Sequence, residues 1–99
     1  MVSTFSILEM FSHVAVDHYG SQQLVKAKEE LLELDRALSR YVAAGFPPSG
    51  TRGHNRVTDE VADVLVMAMQ VRHMFGPEEV DKRIAYKIER QRKRMREGK

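Results

Sequence analysis

The sequence predicts an all-α protein in which four helices form a bundle, with residues 1–99 as a single domain. Apolar residues recur at helical spacing in four segments, and Gly and Pro residues separate these segments. No stretch of useful length shows the apolar–polar alternation of a half-buried strand. A chain of 99 residues buries only part of its apolar surface, so oligomerisation is expected to complete the bundle.

Glycine and proline residues mark where the first two helices end. The first is predicted over about Thr4–Tyr19 and ends at Gly20. The second is predicted over about Gln22–Ala44, and Gly45 followed by two prolines stops it. Its apolar stripe consists of Leu24, Ala27, Leu31, Leu34, Leu38 and Tyr41.

The second half of the chain contains the other two helices. Residues 45–56 are rich in Gly, Pro, Ser and Asn and are predicted to be a loop. The third helix is predicted to begin near Val57 or Thr58 and to end at Phe75. Pro77 suits the first position of a fourth helix, predicted to reach about Arg96.

Composition narrows the class of protein. The absence of cysteine excludes disulfides and thiolate metal sites. No apolar run approaches the ~18 residues of a membrane span, and no basic stretch precedes the first apolar residues as in a signal peptide. The expected location is cytoplasmic, without a membrane partner.

Charge is distributed unevenly along the chain. Residues 1–81 carry 7 basic and 12 acidic side chains, a net of −5, whereas residues 82–99 carry 9 and 2, a net of +7. A basic end on an acidic body suits a nucleic acid, a phosphorylated ligand or simple solvation.

Two helices repeat one acidic pattern. The second contains Glu29-Glu30-x-x-Glu33 and the third Asp59-Glu60-x-x-Asp63. At ~100° per residue, each pair three residues apart lies at the same edge of its helix's apolar face. If these faces pack together, the four carboxylates Glu30, Glu33, Glu60 and Asp63 converge.

Converging carboxylates repel one another and resist desolvation unless a cation joins them. Oxygen ligands alone favour Mg²⁺, Mn²⁺ or Ca²⁺ over zinc. Di-iron bundles use Glu-x-x-His motifs, and no Glu here has a His three residues later. Carboxylates at this spacing also occur on ordinary solvated helices, where Lys26, Lys28 and Arg36 could pair with them. The repetition on a second helix favours the metal site.

The paired motif resembles the signature of the all-α, MazG-like nucleoside triphosphate pyrophosphohydrolases. Tyr19-Gly20 and Gln23 before the first half, and Val61-Ala62-Asp63-Val64 within the second, extend the resemblance. It implies Mg²⁺-dependent cleavage of a (d)NTP between the α- and β-phosphates by a homodimer or homotetramer. It also implies Glu30, Glu33, Glu60 and Asp63 as metal ligands.

The catalytic carboxylate and the substrate contacts are less defined. Glu29 or Glu33 is the expected acceptor of the proton from the attacking water. Gln23 and Lys26 on the second helix, and Lys87 and Gln91 on the fourth, are the expected substrate-binding residues. Members of the family often have Asn four residues after the last-helix Lys, whereas this chain has Gln91.

Two other classes remain as alternatives. A basic helical nucleic-acid-binding module would use residues 82–99 as its electrostatic surface. A purely structural helical subunit would use none of these residues chemically. Neither alternative explains the twin acidic motifs, so nucleic acid is not the expected partner.

Overall fold

The computed structural model describes residues 2–99 and confirms the all-α fold. Four helices follow one another without a strand in that part of the chain: α1 Thr4–Tyr19, α2 Gln22–Ala43, α3 Arg52–Phe75 and α4 Pro77–Arg96. The predicted boundaries of α1 and α4 are confirmed, and α2 ends one residue earlier than predicted.

The start of α3 differs from the prediction. The helix begins at Arg52 rather than near Val57, so residues 52–56 are helical instead of part of the loop. Thr51 caps this earlier start, because its hydroxyl accepts a hydrogen bond from the amide of His54 at 3.4 Å. The extra turn places Arg56 on α3, one turn before Glu60.

Helices α2 and α3 form the principal antiparallel pair, and α1 packs mainly across α3. Within residues 2–99, α4 packs against α3 alone. Arg72 links three helices, since its guanidinium lies 3.4 Å from Glu9 on α1 and 2.8 Å from Asp81 on α4. Its hydrogen bond, together with its positive charge, holds the pKa of Asp81 below the usual value.

The single chain has a small core. Its buried apolar residues are Ala15, Ala27, Ala37 and Met67, while large side chains such as Leu31 and Leu65 are more than half exposed. The radius of gyration is 16.1 Å, compared with about 13 Å for a compact chain of this length. None of the helices in residues 2–99 is both long and apolar enough to traverse a bilayer.

Candidate metal centre on the α2–α3 seam

The acidic residues lie on one line of contact, here called the α2–α3 seam. Along it, residues of α2 from Gln23 to Arg40 face residues of α3 from Gln70 back to Arg52. Because the helices are antiparallel, side chains separated by many residues in sequence become neighbours. The seam therefore brings the two acidic motifs together.

Three carboxylates converge at the middle of the seam. One oxygen from each of Glu30, Glu60 and Asp63 lies within 4.8 Å of the others. The Glu60 side chain is 10% exposed and that of Glu30 is 15% exposed, whereas Asp63 faces solvent. These three carboxylates could hold a divalent metal that prefers oxygen ligands.

Two cations already lie against this cluster. Lys26 Nζ is 3.0 Å from Glu30, and Arg56 Nε donates to Glu60 at 3.0 Å. The hydrogen bond from Lys26 to Glu30, with the charge of that carboxylate, raises the pKa of Lys26. Within residues 2–99, Asp63 has no cationic group within 4.0 Å. It is therefore the member of the cluster with the greatest unmet attraction for a metal.

Glu33 lies beside the cluster but points toward arginines. Its two oxygens lie 3.3 Å from Arg36 and 3.3 Å from Arg56, and its side chain is 39% exposed. Arg56 thus joins Glu33 to Glu60. The structure brings three of the four predicted metal ligands together directly and the fourth through this guanidinium.

The other predicted residues divide into near and distant sets. Glu29 is largely exposed and lies 3.7 Å from Lys26, at the edge of the cluster. Gln23 is buried one helical turn before Lys26. Lys87 and Gln91 lie on the exposed face of α4, which packs on neither α1 nor α2 within the described chain. A single chain therefore does not bring Lys87 and Gln91 to the carboxylates.

Sequence reasoning missed two features of the seam. Gln70, 2% exposed, accepts a hydrogen bond from the Gln23 amide at 2.6 Å. Gln70 follows Asp63 by seven residues, about two helical turns, so both lie on the same side of α3. A polar side chain at this position of an otherwise apolar stretch was the signal in the sequence that could have indicated it. At the opposite end, Arg40, Arg52 and Arg56 line one concavity of about 390 Å³. Because residues 45–56 were predicted to be a loop, the sequence did not indicate that these three arginines share one surface.

Comparison of the chain with protein-family models, with curated proteins and with solved structures returned no significant match.

An Arg56→Ala variant should bind Mg²⁺ somewhat more tightly, because Arg56 competes with the metal for Glu60. Exposed ion pairs contribute about 0.2–1 kcal/mol, so the increase in affinity should reach at most about fivefold. Calorimetric titration with Mg²⁺ or Mn²⁺, without nucleotide, measures it. Arg36→Ala is the matched control, since Glu33 is the carboxylate that pairs with Arg36 within residues 2–99. An unchanged or weaker affinity in Arg56→Ala contradicts the competition, and tighter binding in the control places Glu33 among the ligands.

Proposed function

We propose that this protein is a Mg²⁺-dependent nucleoside triphosphate pyrophosphohydrolase, with Mn²⁺ as an alternative metal. It cleaves a (d)NTP between the α- and β-phosphates and releases the monophosphate and pyrophosphate. The observation that carries the proposal is the convergence of Glu30, Glu60 and Asp63 from two helices. The resemblance of the two motifs to the MazG-like signature supplies the reaction.

Each group in the seam has a role in this proposal. Bound Mg²⁺ supplies charge neutralisation for the phosphates and lowers the pKa of a coordinated water. Glu30, Glu60 and Asp63 hold the metal, and Glu33 joins them once Arg56 turns toward substrate. Water attacks the α-phosphorus: a new O–P bond forms while the bond from that phosphorus to the α–β bridging oxygen breaks, pyrophosphate leaves with the electron pair, and Glu29 or Glu33 would accept the proton of the water.

A homodimer or homotetramer is the proposed active form. The exposed apolar residues and the large radius of gyration support it, because a chain with so small a core gains stability by covering its apolar faces. An oligomer also supplies a way for Lys87 and Gln91 of one subunit to approach the carboxylates of another.

A survey of nucleotides tests the proposed function. The purified protein is incubated with canonical and modified ribo- and deoxyribonucleoside triphosphates in the presence of Mg²⁺, and pyrophosphate release is measured. We expect turnover of at least one nucleotide, and its loss in EDTA with recovery on adding Mg²⁺. Release of inorganic phosphate instead of pyrophosphate, or no turnover of any nucleotide, would overturn the proposal.

The exposed basic helix supports the alternative function, a nucleic-acid-binding module, and one pair of variants separates the two. If Lys87 contacts substrate phosphate, Lys87→Ala lowers kcat/KM. The fall should correspond to a loss of transition-state stabilisation of roughly 1–3 kcal/mol, the order of a hydrogen bond to a charged group. Arg96→Ala, at the exposed end of α4, then has almost no effect. If the helix binds nucleic acid, both changes weaken that binding similarly and leave hydrolysis unchanged. If Lys87→Ala and Arg96→Ala both leave hydrolysis nearly unchanged, Lys87 does not contact the substrate.

A further inference from the structure

The geometry points to one direction of nucleotide binding along the α2–α3 seam: the base lies against Gln23 and Gln70, and the β- and γ-phosphates lie against Arg40, Arg52 and Arg56. This inference rests on the proposed function and adds the polarity of the substrate. It depends on the order of three groups along two antiparallel helices, with amides at one end, carboxylates in the middle and arginines at the other end. At 1.5 Å per residue, Glu30 lies about 10 Å along α2 from Gln23 and about 15 Å from Arg40.

The amide end places Gln23 and Gln70 in one groove with aromatic, apolar and charged side chains. The Gln23 amide donates to the Gln70 carbonyl at 2.6 Å, which leaves the Gln23 oxygen and the Gln70 nitrogen without a hydrogen-bond partner in residues 2–99. These residues are 9% and 2% exposed. Neither atom is among the fully buried side-chain atoms that lack a partner in residues 2–99, so both are open to water, and a ligand in the groove can replace that water. One acceptor beside one donor complements the hydrogen-bonding edge of a nucleobase.

A groove leads from solvent to these amides. Its volume is about 640 Å³, and Phe11 and Tyr19 contribute half-exposed aromatic rings to its wall. Aromatic side chains can stack on any nucleobase, because every base has a π-face. Lys26 and Glu29 line the same groove, and Lys26 contacts Glu30 of the metal centre. A base in this groove therefore lies next to the carboxylates that hold the metal.

The arginine end has the opposite character. Arg40, Arg52 and Arg56 surround one concavity with Ala37 and Gly53. Arg56 pairs with Glu33 and Glu60, whereas Arg40 and Arg52 have no carboxylate oxygen within 4.0 Å in the described chain. Guanidinium groups bind phosphate through paired hydrogen bonds. Arg56 contacts Glu60 of the carboxylate cluster, and the concavity that it shares with Arg40 and Arg52 suits the leaving pyrophosphate, which carries most of the substrate's charge.

The reverse orientation is unfavourable at both ends. It would place a highly charged triphosphate tail beside aromatic rings and neutral amides, next to Glu29, where Lys26 is already paired with two carboxylates. It would also place an uncharged base among the three arginines that line the other concavity. The charge distribution along the seam therefore selects the proposed direction.

The two products of the reaction test the polarity separately. Binding of a nucleoside monophosphate and of pyrophosphate, each with Mg²⁺, is measured by calorimetry for the wild type, Gln70→Leu and Arg52→Ala. We expect Gln70→Leu to weaken monophosphate binding about tenfold, as expected for the loss of one or two hydrogen bonds, and to leave pyrophosphate binding unchanged. Arg52→Ala should weaken pyrophosphate binding about tenfold and leave monophosphate binding unchanged.

Turnover supplies a second measurement that does not involve a base. Hydrolysis of tripolyphosphate should be unaffected by Gln70→Leu and slowed by Arg52→Ala. If Gln70→Leu does not fold, Tyr19→Ala tests the same end, because Tyr19 is half exposed and its loss should weaken monophosphate binding alone. Equal effects of each variant on both products, or the reverse pattern, overturn the polarity while wild-type turnover leaves the proposed function standing. Absence of nucleotide turnover and of binding in the wild type overturns both.

Discussion

An Asp63→Asn variant should lose nucleotide hydrolysis almost completely, by more than about 100-fold, the upper range for residues that only support a metal ligand. Asp63 is the carboxylate of the central cluster that has no cation within ion-pair distance in residues 2–99. Its charge is therefore the one most available to a metal. Asn keeps the size and one oxygen but removes that charge, so Mg²⁺ affinity and turnover should fall together.

The same substitution should affect stability in the opposite direction. Without divalent metal, Asp63 and its neighbours Glu30 and Glu60 repel one another across less than 5 Å. Removing one charge relieves this repulsion, so the melting temperature of Asp63→Asn in EDTA should equal or exceed that of the wild type. Added Mg²⁺ should raise the melting temperature of the wild type more than that of the variant.

Asp59→Asn is the matched control for both measurements. Asp59 is exposed on the same helix, and it lies about 100° around the helix from Glu60, outside the cluster. Pyrophosphate release, calorimetric Mg²⁺ titration and thermal denaturation are compared for the two variants. Activity of Asp63→Asn near that of the wild type, or equal losses in both variants, would exclude Asp63 as a metal ligand.

A Leu31→Glu variant should prevent the proposed oligomer from forming and remove the proposed hydrolysis with it. Leu31 is 56% exposed on α2, and it lines an apolar groove of about 510 Å³ between α2, α3 and the start of α4. The proposed oligomer would cover this apolar surface, and burying a carboxylate there would cost several kcal/mol. In a monomer the carboxylate stays in water and costs little.

The molecular mass in solution, measured across micromolar protein concentrations, tests this prediction. The wild type should have the mass of a dimer or tetramer and Leu31→Glu that of a single chain, with a lower melting temperature. Ser39→Glu is the control, because it adds the same carboxylate at an exposed position of the same helix about 80° away. A monomeric wild type with full activity, or an unchanged mass for Leu31→Glu, contradicts the proposed assembly.

Much of the seam was accessible from the sequence because helical periodicity is a local property. Glu30 and Glu33 share a helix edge whatever α2 packs against, and Glu60 and Asp63 do so on α3. The all-α class and the limits of α1 and α4 likewise follow from nearby Gly, Pro and apolar residues. These inferences needed no knowledge of which helices touch.

The pairing across helices depended on tertiary structure. The cap at Thr51 extended α3 backward by more than a turn, and that turn carries Arg56 to Glu60 and Glu33. This ion pair, rather than the angular position of Glu33 around α2, sets the direction of the Glu33 side chain. The antiparallel register also placed Gln70 on Gln23 and Arg52 near Arg40.

The sequence by itself therefore determined the four helices and the acidic edges of α2 and α3. Only the tertiary structure decided which carboxylates meet, which arginines oppose them, and that α4 stands away from the site within one chain. The physical reason is the range of the interactions involved. Periodicity and capping act within a few residues, whereas ion pairs and buried amide contacts join side chains that are distant in sequence and depend on how the helices pack.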